Sequence, residues 1–240
     1  MPYQPFIILS PPRAGTHMLR SALLEDPSVT VHHELFNPHF GEHHPYSLEE
    51  PVKSILNNYA FRPFHSDIKA VGFPINEHHA NEKSAPQWME VWEELRNIPD
   101  LKDIRLRREN ILRAFVSRAT AGETHHWNIY PNNSHHQQKN VAINVGPETL
   151  EQIFLSNTAR YQYFNKFFEN QPQIEIVYER MCDAPVYQFN RVQEFLGLAL
   201  RELKPTTKKQ AKYPLSKALQ NYESLKKHFS GSPWAAFFDE

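Results

Sequence analysis

The chain opens with Phe6-Ile7-Ile8-Leu9-Ser10, an apolar run held between Pro5 and Pro11. A run this short with no polar alternation reads as a strand buried on both faces, which requires cover on each side of its sheet. Directly after it stands the turn Pro11-Pro12-Arg13-Ala14-Gly15-Thr16. From His17 to Glu25 the residues Met18, Leu19, Ala22 and Leu23 then fall on one helical face. Strand, tight turn and helix in that order form the first unit of an α/β fold.

The alternation continues along the chain. Val29, Val31 and His33 interleave with Thr30 and His32 in a second strand ending near Glu34. A helix is expected over Leu48 to Asn58, and a third strand over Lys69 to Phe73, stopped by Pro74. Ser84 and Pro86 open a helix that buries Trp88, Val91, Trp92 and Leu95. Asp103 to Arg107 and Ile174 to Tyr178 read as strands. Helices are expected over Glu109 to Ala121, Gly146 to Asn170, Val186 to Leu196 ended by Gly197, and Leu215 to Phe229. This order predicts an α/β three-layer sandwich with a central, mainly parallel sheet flanked by helices.

No Gly/Ser run, proline tract or charge block interrupts the 240 residues. Residues 1–240 are therefore expected to form one domain, with the irregular, His- and Asn-rich stretch 122–146 inserted as a lid over the substrate. Lys and Arg total 26 against 27 Asp and Glu, a net charge of −1. That balance argues against broad nucleic-acid or membrane-surface binding, so any cationic chemistry must be local. Cys182 is the lone cysteine and fits a reducing compartment. No apolar stretch approaches the roughly 18 residues of a membrane span, and the first residues lack the charged start and apolar core of a secretory signal. A soluble, cytoplasmic protein is expected.

Ligands of open α/β sheets bind beyond the carboxyl ends of the strands, where helix N-termini present unpaired N–H groups. The turn Pro12 to His17 sits at such a place. Gly15 admits close backbone approach, Thr16 and His17 offer donors, and Arg13 supplies a bidentate cation, which together suit an anion. An ordinary βα turn with a surface arginine has the same composition. The turn lacks G-x-x-x-x-G-K-[ST] and is no Walker A loop. A second basic cluster follows the Asp103 strand: Arg105, Arg107 and Arg108, then Arg113, Ser117 and Arg118 on the next helix. A strand-end arginine with Ser117 could clamp a phosphate. Alternatively Arg105, Arg113 and Arg118 pair with Glu93, Glu94 or Glu109 on a solvated face.

Pro12-Arg13-Ala14-Gly15-Thr16-His17-Met18-Leu19 resembles the P-[KR]-[SA]-G-[TS]-[TS]-x-L loop of sulfotransferases that use 3′-phosphoadenosine-5′-phosphosulfate, PAPS. Arg107-Arg108-Glu109-Asn110-Ile111-Leu112-Arg113-Ala114-Phe115-Val116-Ser117 resembles a segment of the bacterial branch similar to trehalose sulfotransferase. Further segments match in order: Glu34-Leu35-Phe36-Asn37, Val71-Gly72-Phe73, Val177 to Met181 with Phe195-Leu196-Gly197, and Lys209-Gln210 with Pro214-Leu215-Ser216 and Asn221-Tyr222-Glu223.

The resemblance implies a P-loop-like fold with PAPS as cosubstrate, PAP as product and no metal. Arg13, Ala14, Gly15, Thr16 and His17 then hold the 5′-phosphosulfate, Met18 and Tyr178 approach the adenine, and Arg108 (or Arg107) with Ser117 takes the 3′-phosphate. Lys209 and Gln210 close over the nucleotide. The chain departs from its relatives in having Arg13 where many carry lysine, and Pro74 where bacterial members often carry a basic residue.

Sulfuryl transfer is an in-line displacement in which the protein positions the reactants and neutralises the leaving oxygen. Arg13 is placed for that oxygen, assisted by His17 and the Thr16 N–H. Glu34, at the end of the second strand, is the expected general base, in keeping with the glutamate the resemblance points to. His33 is the rival base, packed inward by strand alternation.

The acceptor is expected to be a small polar molecule, a sugar or natural product with a hydroxyl or amine, and His44 or His79 is expected to touch it. Trp88 and Trp92 belong to the core, whereas Trp127 is placed to stack on substrate. Among 14 histidines, the His39, Glu42, His43 and His44 group offers zinc-type ligands, but no functional metal is expected. The aromatic-rich helix 146–170 suggests a homodimer face. The competing readings are a kinase-like phosphotransferase and a noncatalytic nucleotide-binding module.

Overall fold

A computed structural model describes residues 1–39, 44–80, 85–124, 141–206 and 214–239. Five strands, β1 (Gln4–Ser10), β2 (Val29–Val31), β3 (Ala70–Asn76), β4 (Lys102–Arg107) and β5 (Gln173–Val177), form one sheet in the order β2-β3-β1-β4-β5. All four pairings are parallel. The central position of β1 explains its unbroken apolar run. Ile7 and Leu9 enter one core with Val71, Phe73 and Trp88, while Phe6 and Ile8 enter the other with Ile104, Leu106 and Ile176. Full burial of each of these side chains contributes about 1.5–3 kcal/mol.

Helices cover both faces. Helix α1 (Thr16–Leu23) and helices α6 (Tyr178–Asp183) and α7 (Pro185–Leu196) line the Phe6 side through Leu19, Met181 and Phe189. The Ile7 side is covered by α2 (Val52–Ile55), α3 (Val91–Arg96) and part of α5 (Pro147–Phe167). A third core joins α4 (Ile111–Thr124) and α5 to α8 (Leu215–Ala218) and α9 (Tyr222–His228), with Phe154 and Phe229 at its centre. Trp88 is fully buried, and Trp92 packs partly buried while donating from Nε1 to the Ala80 carbonyl at 3.0 Å. Of the α5 aromatics, Phe164 is buried whereas Tyr163 is 60% exposed.

Several boundaries differ from the expectation. Pro74 does not stop β3, which continues to Asn76. The Gly72 carbonyl accepts the His32 N–H, so alternate residues of β3 face β2, and β2 ends at Val31 opposite Gly72. Pro74 therefore turns its missing N–H to an unpaired edge and costs no ladder bond. Tyr178 opens α6 instead of closing β5. The last expected helix is two, because Gln220 N–H donates to the Ile143 carbonyl and Ile143 N–H to the Ala218 carbonyl, which pulls the intervening backbone into a short parallel bridge. The helix expected over Leu48 to Asn58 starts at Val52 and ends in a π-helical turn, Leu56–Ala60. Ser84, expected as an N-cap, lies outside the described residues.

Candidate active site

The turn after β1 is built from two left-handed residues, Arg13 (φ 66°) and Gly15 (φ 90°). At Gly15 a Cβ would stand 2.5 Å from Cδ2 of Tyr178, so only glycine lets that ring lie against the turn. Thr16 begins α1 and shares a 2.8 Å hydroxyl–hydroxyl bond with Ser10, the last residue of β1. Among the described residues no side chain caps α1, so its first-turn N–H groups suit an anion. Ala14 is fully buried under the turn, and Met18 packs against the Phe6-side core.

Two guanidiniums converge here. Arg13 donates from Nε to Ser117 Oγ at 3.0 Å. Arg108 donates to the Arg13 carbonyl at 3.2 Å and lies 4.8 Å over the Tyr178 ring. Tyr178 is thus held between the Gly15 backbone and a cation. Burial presses both arginines below their ordinary range, and the charge of Arg108 presses Arg13 further. Arg108 Nε is buried with no hydrogen bond among the described residues, although the Glu179 carboxylate stands 3.7 Å away. Glu179, part of the Val177 to Met181 segment but given no role there, also accepts the N–H groups of Glu109 (3.0 Å) and Asn110 (3.4 Å), tying α6 to the entry of α4.

The neighbouring arginines go elsewhere. Arg107 pairs with Glu175 at 3.1 Å and Glu109 at 3.6 Å on the surface, which leaves Arg108 as the one turned towards the β1–α1 turn. Arg105 was expected on a solvated face, but it is fully buried and bonds Asp103, the Phe164 carbonyl and Asn165. Residues two apart on a strand share a face, so the partner lay within the strand itself.

Glu34 lies three residues beyond β2. Its Oε2 accepts from Asn37 Nδ2 at 2.7 Å and stands 3.6 Å from His79 Nε2. Burial raises its pKa, opposed by the Asn37 bond and the charge of Arg20. A cavity of about 280 Å³ is lined by Arg20, His33, Glu34 and His44, and a narrower cleft by Thr16, His17, Arg20, Glu34 and Pro74. Glu34 belongs to both walls. His33 is exposed, not packed inward, because β2 ends at Val31 and strand alternation does not reach it. His17 is driven down to about 4 by burial first, then by Arg20, Arg13 and His33, and so is neutral at pH 7.

Arg20, unforeseen in the sequence, donates from Nε to the His32 carbonyl at 2.8 Å. Its position three residues after His17, one helical turn on, was the available signal. Lys209, Gln210, Trp127, Glu42, His43 and most of the expected lid lie outside the described residues. Within 122–146, α4 runs to Thr124 and Ile143 bridges to Leu219. Among the described residues no group of three or more His, Cys, Asp or Glu is placed to hold a metal ion, and no helix is long and apolar enough to cross a membrane.

Nodulation protein H of Rhizobium meliloti strain 1021 is 30% identical over 252 residues, covering 100% of this chain and 96% of that protein. The chain belongs to the nodulation protein H family of sulfotransferases. The nodulation protein H of Rhizobium tropici is 27% identical to the sulfotransferase over 245 residues, spanning 98% and 93% of the two chains. No protein-family model matches it. Among solved structures, a sulfotransferase from Alicyclobacillus acidocaldarius aligns at 16% identity and a TM-score of 0.49, covering 97% of this chain and 93% of that one. A mouse sulfotransferase complexed with PAP aligns at 16% and 0.45, covering 84% and 61%. The likeness of this sulfotransferase to the trehalose sulfotransferase branch rests on the sequence motifs alone.

Proposed function

We propose that this sulfotransferase moves the sulfuryl group of PAPS to a hydroxyl or amine of a small polar acceptor, with Glu34 as general base. The observation that carries the reading is the shared wall. Glu34 lines the cleft beside Thr16 and His17 and also the larger cavity, which supports a role between a donor at the turn and an acceptor in the cavity. The residues present fit an anionic nucleotide: two partly buried cations crowd one turn, Arg108 Nε has no hydrogen bond among the described residues, and among those residues no side chain caps the α1 N-terminus.

PAPS supplies an activated sulfuryl group. The chain's residues do the rest. Arg13, the uncapped N–H groups of α1 and neutral His17 neutralise the charge that builds on the departing phosphate oxygen. Arg108, Ser117 and Tyr178 hold the remainder of the nucleotide. Glu34 takes the acceptor proton as the new sulfur–oxygen or sulfur–nitrogen bond forms and the bond to the phosphate oxygen breaks.

The test is a screen of hydroxylated and amine compounds with radiolabelled PAPS, run beside ATP with Mg²⁺. Labelled product with release of PAP is expected. Turnover of ATP with no transfer from PAPS would sink the reading, as would PAP titrations that give no binding heat.

A further inference from the structure

The turn after β3 sets how His79 stands. The Asn76 N–H donates to His79 Nδ1 at 3.2 Å, and the His79 N–H donates back to the Asn76 carbonyl at 2.9 Å. A ring nitrogen that accepts a backbone N–H carries no proton, so a neutral His79 holds its hydrogen on Nε2. The ring is neutral: His79 is 7% exposed, and burial presses its pKa down to about 3, with His78, His39 and His44 adding to the effect. That hydrogen faces Glu34 Oε2 across 3.6 Å. The contact is accordingly an N–H dipole aimed at a carboxylate, longer than a hydrogen bond and not an ion pair.

The same oxygen receives Asn37 Nδ2 at 2.7 Å. That amide cannot be turned around, because its Oδ1 accepts the His39 N–H at 3.0 Å. Two donors therefore converge on Oε2, each oriented by a separate backbone N–H, and neither engages Oε1. A carboxylate with one oxygen bonded by a fixed amide and faced by a second N–H presents the other to its substrate.

We infer that His79 is a positioning residue: from behind Glu34 it holds Oε2 and aims Oε1 at the acceptor proton. The inference deepens the proposed transfer reaction and rests on Glu34 being its base. The other charged or titratable groups around Glu34 are Arg20 and His17 on α1 and His33 and His44 along the cavity. Those around His79 are His39, His44 and His78.

Two measurements test it. Long-range ¹H–¹⁵N NMR of the labelled wild-type protein, with the His79 signals assigned by their loss in His79→Gln, should show a neutral ring protonated at Nε2 at pH 7. An Nδ1–H tautomer or an imidazolium would overturn the inference, and this readout needs neither turnover nor a stable variant.

Second, PAPS hydrolysis with water as acceptor is followed in wild type, His79→Phe and His79→Gln, together with ¹³C titration of Glu34. In the Phe variant kcat should fall about tenfold. Its Glu34 titration should move upward, since a donor to the charged form is lost. Gln, which keeps an N–H donor, should restore both, and PAP binding should stay unchanged throughout. Equal losses in Phe and Gln, or a wild-type titration in the Phe variant, would refute a positioning role. If wild type itself consumes no PAPS, the proposed function fails while the tautomer result still stands or falls alone.

Discussion

Arg13 donates from Nε to the hydroxyl of Ser117, 104 residues later, at 3.0 Å. The bond joins the β1–α1 turn to α4 and makes one cationic surface from what the sequence presents as two clusters. Arg108 enters the same surface through the Arg13 carbonyl, whereas Arg107 is spent on Glu175 and Glu109. Charge-assisted bonds to an anion contribute about 1.5–3 kcal/mol, so Arg13→Ala and Arg108→Ala should each weaken PAP binding roughly 10- to 100-fold by calorimetry. Arg107→Ala should change it only a few-fold. Equal losses at Arg107 and Arg108 would show that the inward turn of Arg108 is irrelevant to the nucleotide.

Glu34→Gln should cut turnover by roughly 10²–10⁴-fold while leaving PAP affinity near wild type. Burial raises the Glu34 pKa, and a base acts only when deprotonated. Activity should therefore fall as pH drops, with its acid limb displaced upward from that of an ordinary carboxylate. His17, held neutral with a pKa near 4, contributes no limb close to neutrality. A pH–rate profile of kcat/KM checks both points, and a limb that persists in Glu34→Gln would assign it to another group.

The parts of this molecule that were legible in the sequence are those governed by local rules. The run Phe6 to Ser10 reads as a strand buried on both faces, Gly197 ends α7 with its φ of 76°, and the Arg13-Gly15-Thr16 turn follows that strand directly. What was hidden depends on which neighbour ends first. Pro74 sits inside β3 only because β2 stops at Val31, and the same early stop leaves His33 exposed. The helix expected over Leu215 to Phe229 breaks because a remote strand-like residue, Ile143, bonds Gln220. Asn37 and His79 come together at Glu34 through two separate loops, a juxtaposition that no spacing rule contains.

Glu77 is 5% exposed, and its Oε1 has no hydrogen-bond partner among the described residues. Burial drives its pKa from 4.5 up to about 7, with Asp103 adding and Arg160 and Arg105 opposing. Between those values the folded protein binds more protons than the unfolded chain, so stability falls as pH rises from about 4.5 to 7. The displacement corresponds to about 3 kcal/mol. Glu77→Gln should match wild type in thermal melts at pH 5 and exceed it at pH 8. A difference that stays constant with pH would remove Glu77 as the cause.

Asp103 and Arg105, adjacent on one face of β4, form an ion pair with both side chains almost wholly out of solvent. Arg105 also donates to the Phe164 carbonyl at 3.1 Å, which fastens α5 to the sheet. Such a pair returns little net stability compared with an apolar filling of the same volume, because desolvation of both charges offsets their attraction. Removing one partner is different, since it strands the other charge in the core. Asp103→Ala should destabilise the fold by about 3–5 kcal/mol in urea titrations, whereas Glu175→Ala, which leaves the partly exposed Arg107 with Glu109, should cost about 1 kcal/mol or less. The double variant Asp103→Ala/Arg105→Met should recover much of the loss. Failure of that recovery would mean that the Phe164 and Asn165 contacts, not the stranded charge, dominate at this site.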